Sequence, residues 1–166
     1  MEETNHLDSV SVRLNLERRY YSEEPIIKAE DAVNVVAGEM ATWDREVFCI
    51  LNLDVRHKPI NFSLIGMGGA TTVSMSMPEM LKSSLLSNAS DVIVLHNHPA
   101  GTLDPSSSDV RSMMSLEKAF STVGIQMIDT IIVAGRILEG CPPYKSFMKE
   151  VNGIKEMIRG GDDHER

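Results

Sequence analysis

The sequence predicts a mixed α+β domain, a central mixed β-sheet flanked by helices. Three observations predict it. Apolar runs of strand length alternate with segments whose apolar residues fall at helical spacing. No linker or internal repeat divides the chain. Its 166 residues suit one domain, which at that size buries roughly 70% of the unfolded chain's surface.

Residues 1–8 are polar and are expected to fray. Val10, Val12, Leu14 and Leu16 then alternate with Ser11, Arg13 and Asn15, the period of a half-buried strand, which Tyr20, Tyr21 and Pro25 end. Lys28 to Trp43 carries Ala29, Ala32, Val35, Val36 and Met40 at helical spacing, with Asp31 in its first turn. Val47 to Val55 reads as a strand buried on both faces. The polar turn Asp54–Pro59 and the run Ile60–Ile65 make it a hairpin. Gly66, Met67, Gly68 and Gly69 form a flexible connection, and Thr71–Met75 a short strand.

Pro78 suits the first turn of a helix, where a missing N–H costs nothing. Met80, Leu81, Leu85 and Leu86 give that helix its apolar stripe, and Asn88–Ser90 closes it. Asp91–His96 is the central strand, residues 97–105 a loop, and Ser106–Thr122 a helix with Met113, Met114, Leu116, Ala119 and Phe120 inward. Gly124 suits the position after that helix. Ile125–Val133 is a further strand, followed by a turn at Ala134–Arg136 and a short strand near Ile137 and Leu138. Tyr144–Ile158 is expected to be a C-terminal helix, and Gly160–Arg166 a charged tail. The methionines, 11 in all, are read mostly as core filling.

The chemistry concentrates in Leu95-His96-Asn97-His98-Pro99 and the residues up to Asp109. A strand puts residues i and i+2 on one face, so His96 and His98 project side by side. Asp109, eleven positions after His98, starts the next helix. Two imidazoles and a carboxylate can supply three ligands to one metal and leave a fourth position for water, the layout of a catalytic zinc site. Neutral imidazoles suit Zn²⁺, although spacing does not choose among first-row metals. Two helix starts compete. Ser106 with Asp109 can form a capping box. Asp104 with Pro105 can also begin the helix, leaving Asp109 free in the second turn. Asn97, Pro99 and Gly101 read as loop geometry.

His96-x-His98, seven residues, Ser106, two residues and Asp109 resembles, without gap or substitution, the JAMM signature of the MPN/JAB metalloprotease superfamily. The longer resemblance is to its RadC-like branch. It runs through Arg45-Glu46-Val47-Phe48, Leu51-Asn52-Leu53-Asp54, Pro78–Asn88, His96–Gly101 and Ile128–Ile132, and covers roughly residues 28–138. The resemblance implies the MPN/JAB (cytidine deaminase-like) fold. It assigns His96, His98 and Asp109 as metal ligands for one Zn²⁺, Glu46 as the upstream base, and Ser106 as the hydroxyl that stabilises an oxyanion. Such a donor is worth roughly 3 kcal/mol in a transition state, against about 1 kcal/mol for a helix cap. Glu30, Asp44 and Asp54 are the fallback carboxylates. Thr130 stands where the family usually has His, next to the family-typical Asp129. The expected organisation is an N-terminal extension over 1–27, the RadC-like JAB domain over 28–159 and a tail over 160–166. Such a chain lacks the helix-hairpin-helix region of many relatives and stands as the isolated catalytic domain.

Composition narrows the function classes. Lys plus Arg is 16 and Asp plus Glu 24, a net charge of −8, so nucleic-acid binding, which rests on neutralising phosphates, is disfavoured for this domain. No apolar run reaches membrane-span length. The acidic start, Met1-Glu2-Glu3, is unlike a secretory signal. Two cysteines, Cys49 and Cys141, are too few for a disulfide scaffold. A cytoplasmic location is expected. The leading expectation is a metallopeptidase cleaving a peptide or isopeptide-linked protein substrate. The alternatives are metal-dependent nucleic-acid processing, which the family's DNA-repair label suggests, and a non-catalytic protein-binding module. Homo-oligomerisation stays open.

Overall fold

Val47 to Leu53 is apolar at every position but Asn52, and a strand can bury such a run only inside a sheet covered on both faces. It occupies that place. The computed structural model describes residues 14, 24–40, 43–67, 77–134 and 143–147. Its elements in chain order are α1 (Ala29–Met40), β1 (Val47–Leu53), β2 (Pro59–Met67), α2 (Met77–Leu86), β3 (Asp91–His98), α3 (Ser107–Thr122), β4 (Gln126–Ala134) and β5 (Tyr144–Ser146). They build a five-stranded mixed sheet ordered β2-β1-β3-β4-β5. The β3–β4 pair is parallel, its strands joined through α3, and the other pairs are antiparallel. The sheet and its flanking helices agree with the predicted class and with a JAB/MPN fold.

Alternation along the strands divides the core between the two faces. Under α1, Ala32, Val33, Val36 and Met40 pack on Val47, Cys49, Leu51, Leu53, Ile93, Leu95, Ile131 and Val133. On the other face, Met80 of α2 and Leu116 and Phe120 of α3 pack on Phe48, Ile50, Val92, Val94 and Met127. Met40, Met80, Met113 and Met127 are buried, as core filling requires, and Cys49 is buried in the same core.

Local chemistry explains the element ends. Asp31 Oδ2 accepts from the Ile27 and Lys28 amides, both at 3.0 Å, and starts α1. Asp54 Oδ1 accepts from the Arg56 and Lys58 amides and closes the β1–β2 turn, where His57 has φ 59°. At the end of α3, the Ile125 amide donates to Phe120 O and the Gly124 amide to Ser121 O, with Gly124 at φ +76°. That is a Schellman closure, and its left-handed position favours glycine.

The structure corrects the expected boundaries. β2 runs on through Gly66 and Met67, expected as flexible connection, because they pair with Phe48 and Val47. β3 runs on through Asn97 and His98, because both pair in parallel with Val133 and Ala134 of β4. Tyr144–Ser146 is a strand rather than the start of a helix. It pairs antiparallel with Ile131–Val133, and the Phe147 amide donates to Thr130 O at 2.9 Å. The expected strands at Val10–Leu16, Thr71–Met75 and Ile137–Leu138, the rest of the C-terminal helix and Cys141 lie outside the described residues, Leu14 apart. Among the described residues, no helix is long and apolar enough to cross a membrane.

Candidate metal centre

β3 carries both histidines to one face. Val92 and Val94 point toward α2 and α3, and His96 and His98 continue their row. Both are buried, His96 at 1% exposure. The two rings lie edge to face with centroids 4.6 Å apart, and His96 stacks on Phe48 of β1 at 3.9 Å. Phe48 pairs directly with His96 across the antiparallel ladder, which fixes the stack.

His98 Nδ1 lies 3.0 Å from Thr102 O and 3.2 Å from Thr102 Oγ1. A carbonyl only accepts, so Nδ1 carries the proton and the Nε2 lone pair is left for a metal. His96 differs. Neither of its ring nitrogens has a hydrogen-bond partner among the described residues, although both are buried. Such nitrogens are costly to desolvate and leave, unless something fills the space beside them. A metal ligand meets that need, so the donor set fits a metal ion.

Two carboxylates flank the pair. Glu46 Oε2 lies 3.9 Å from His96 Nε2, and its side chain is 40% exposed. Asp109 Oδ1 lies 3.8 Å from His96 Nδ1, and its Oδ2 3.8 Å from His98 Nε2. Glu46, His96 and His98 each offer an atom within 4.8 Å of the others, a group that could hold a metal ion. Asp109 is outside that group, since it faces the opposite nitrogen of His96 from Glu46. The fallback carboxylates do not enter the group: Glu30 pairs with Lys28, Asp44 bonds Arg45, and Asp54 closes the hairpin turn.

Between the two competing helix starts, Ser106 prevails. It is the N-cap of α3, and the capping box is complete. The Asp109 amide donates to Ser106 Oγ at 3.1 Å, while the Ser106 amide and hydroxyl both donate to Asp109 Oδ2 at 2.7 Å. Asp104 instead lies 3.3 Å from the Lys145 ammonium. Asp109 is thus in the first turn; its Oδ2 serves the cap while facing His98, and its Oδ1, outside the cap, faces His96.

Sequence reasoning missed Asn97. It lies in β3 on the face opposite the histidines, 4% exposed. Its Oδ1 accepts from the Val47 amide at 2.7 Å, and its Nδ2 donates to Arg45 O at 3.0 Å. Alternation along the strand was the signal that could have found it. Asp129 accepts the Ser146 hydroxyl on both oxygens at 2.8 Å and so holds β5 to β4. The neighbouring Thr130 is buried, its hydroxyl 3.9 Å from Met127 Sδ.

Burial pushes His96 down to about 4, with the charge of His98 acting in the same direction and Asp109 against it. The imidazole is therefore neutral at physiological pH, the form that binds metal. Because the folded value lies below the unfolded one of about 6.5, the unfolded state binds more protons and stability falls as pH drops. In the metal-free protein the loss falls between about pH 6.5 and 4. It is of order 3 kcal/mol, at 1.4 kcal/mol per pH unit. Urea unfolding at stepwise pH is expected to show this slope in the wild type and a shallower one in His96→Gln. Equal slopes would remove His96 as its source.

The RadC-like JAB domain family matches residues 26–150. A UPF0758 protein of Vibrio cholerae is 35% identical over 118 residues, covering 71% of this chain and 75% of that relative. A UPF0758 protein of Coxiella burnetii is 32% identical over 126 residues, covering 73% and 56%. A third, from Desulfitobacterium hafniense, is 30% identical over 125 residues, covering 72% and 55%. The chain spans little more than half the length of the latter two.

Proposed function

The chain belongs to the RadC-like JAB domain family, and from that premise we propose that it is a zinc-dependent hydrolase of amide bonds, acting on a peptide or an isopeptide-linked protein. One observation carries the reading. A buried histidine whose ring nitrogens have no hydrogen-bond partner among the described residues sits beside a second histidine whose Nδ1 is held by Thr102, with a carboxylate on either side. By the family resemblance His96, His98 and Asp109 would hold the metal; the donors that come together in the structure are His96, His98 and Glu46, with Asp109 at the other nitrogen of His96. When bound, zinc supplies Lewis acidity, polarising the scissile carbonyl and acidifying a water molecule.

The remaining steps fall to the chain's own residues. Thr102 keeps the His98 proton on Nδ1 and so holds Nε2 as a lone-pair donor. Glu46, open to solvent at 40% exposure, takes a proton from the attacking water on a carboxylate oxygen and returns it to the leaving amine. Ser106 donates its hydroxyl to Asp109 Oδ2 in the structure. Rotation about its Cβ–Oγ bond turns the same proton toward the developing oxyanion. A cytoplasmic location is in keeping with a chain of only two cysteines. The net charge of −8 favours a protein substrate over a nucleic acid.

The test joins elemental analysis to a cleavage screen. The purified protein is expected to hold about one zinc per chain, as a mononuclear three-ligand site would, and to cleave members of a peptide and isopeptide library in a chelator-sensitive way. A protein that takes up no metal on reconstitution, or that is loaded and cleaves nothing, would overturn the reading.

A further inference from the structure

Asn97 lies between the two histidines in sequence and on the far face of their strand. The β1–β3 ladder ends at Phe48 and His96. Beyond it, the Asn97 carboxamide takes the place of a missing backbone rung. Its acceptor holds the Val47 N–H and its donor holds the Arg45 C=O. These groups belong to the two peptide planes that meet at the Cα of Glu46, so holding both sets the φ and ψ of Glu46. The backbone torsions in turn set the direction in which the Glu46 side chain leaves the strand.

We propose that Asn97 is a positioning residue that aims Glu46 at the histidine pair, a role that rests on the proposed function of Glu46. The residue type follows from the chemistry. One carboxamide offers an acceptor and a donor in one plane, matched to an N–H and a C=O. Ionised aspartate has no donor, serine has one group for two partners, and leucine has neither. Without the clamp, Glu46 would stand on a fraying strand end beside exposed Asp44 and Arg45. The single strand β3 thus carries the metal-binding pair on one face and, through the other, holds the base in place.

The experiment is a double-mutant cycle on the full chain: Asn97→Ala and Glu46→Gln, each alone and combined. Asn97→Ser runs alongside as the milder change, and circular dichroism checks each fold. The first readout is zinc affinity by chelator competition, which needs no substrate. Glu46→Gln removes the carboxylate of the group that could hold a metal, and Asn97→Ala displaces it. Each is expected to weaken zinc binding roughly tenfold, the low end for supporting residues around a metal. The combined variant is expected to lose no more than either alone. The second readout is cleavage: Asn97→Ala lowers kcat with KM unchanged, and has no further effect in the Glu46→Gln background. Independent losses, about a hundredfold for the combined variant, or no loss in either Asn97 variant, would overturn the positioning role. Zinc binding with additive losses sinks only this role; absence of zinc binding in the wild type sinks the metal reading on which it stands.

Discussion

His96→Ala/His98→Ala is expected to lose all bound metal and yet to fold. The substitution removes both imidazoles and leaves Asp109 and Glu46, two carboxylates that cannot by themselves hold zinc against solvent. Removing the two rings opens space against Phe48, a loss of order 2 kcal/mol or more for each by the usual large-to-small cost. It also removes two buried ring nitrogens that have no hydrogen-bond partner among the described residues, a gain in the other direction. The decisive contrast is the response to zinc. At a free zinc concentration about 100 times Kd, the wild type gains about 2.7 kcal/mol, or roughly 5–11 °C in Tm for a chain of this size. The variant gains none. Thermal unfolding with and without zinc, beside elemental analysis, measures both. A variant that still binds one equivalent would move the site elsewhere.

Glu46→Gln is expected to bind zinc roughly tenfold more weakly, to stay loaded at saturating zinc, and to lose the chemistry. The amide matches the carboxylate in size and exposure, so the fold and the histidine pair are untouched. What goes is the group proposed to take and return a proton, an effect of about 10²–10⁴-fold in kcat. KM is expected to stay within a few-fold, because glutamine occupies the same volume at the mouth of the site. Steady-state rates on a substrate found by the cleavage screen, with metal content measured on the same sample, decide it. Unchanged turnover in a fully loaded variant would take the base role from Glu46.

Sequence and structure agree where the signal is local. β1, the first six residues of β3, and α3 follow from apolar periodicity, and the alternation of β3 puts His96 and His98 on one face in both. Disagreement follows long-range pairing. Tyr144-Lys145-Ser146 has no strand pattern of its own and becomes β5 only by bonding to Ile131–Val133. The ends of β3 and the clamp of Asn97 depend on partners far away in the chain; Arg45 and Val47 lie 52 and 50 positions from it. The α3 start is a third kind of case. Asp104-Pro105 and Ser106-x-x-Asp109 are both good local signals, and only the folded loop, with Asp104 beside Lys145, shows which prevails.

The capping box makes the length of the loop before α3 a fixed quantity. The carboxylate that begins the helix is the same one that faces the histidines, so helix phase and site geometry share one side chain. Adding a residue between Pro99 and Pro105 would cost little in chain entropy, and surface loops commonly accept such changes. Here it would turn the helix start by one residue, near 100°, relative to β3, at 3.6 residues per turn. Either the cap or the approach to His96 and His98 would then be lost. An insertion or deletion in this loop, harmless by the ordinary rules for loops, would act here on the candidate metal centre.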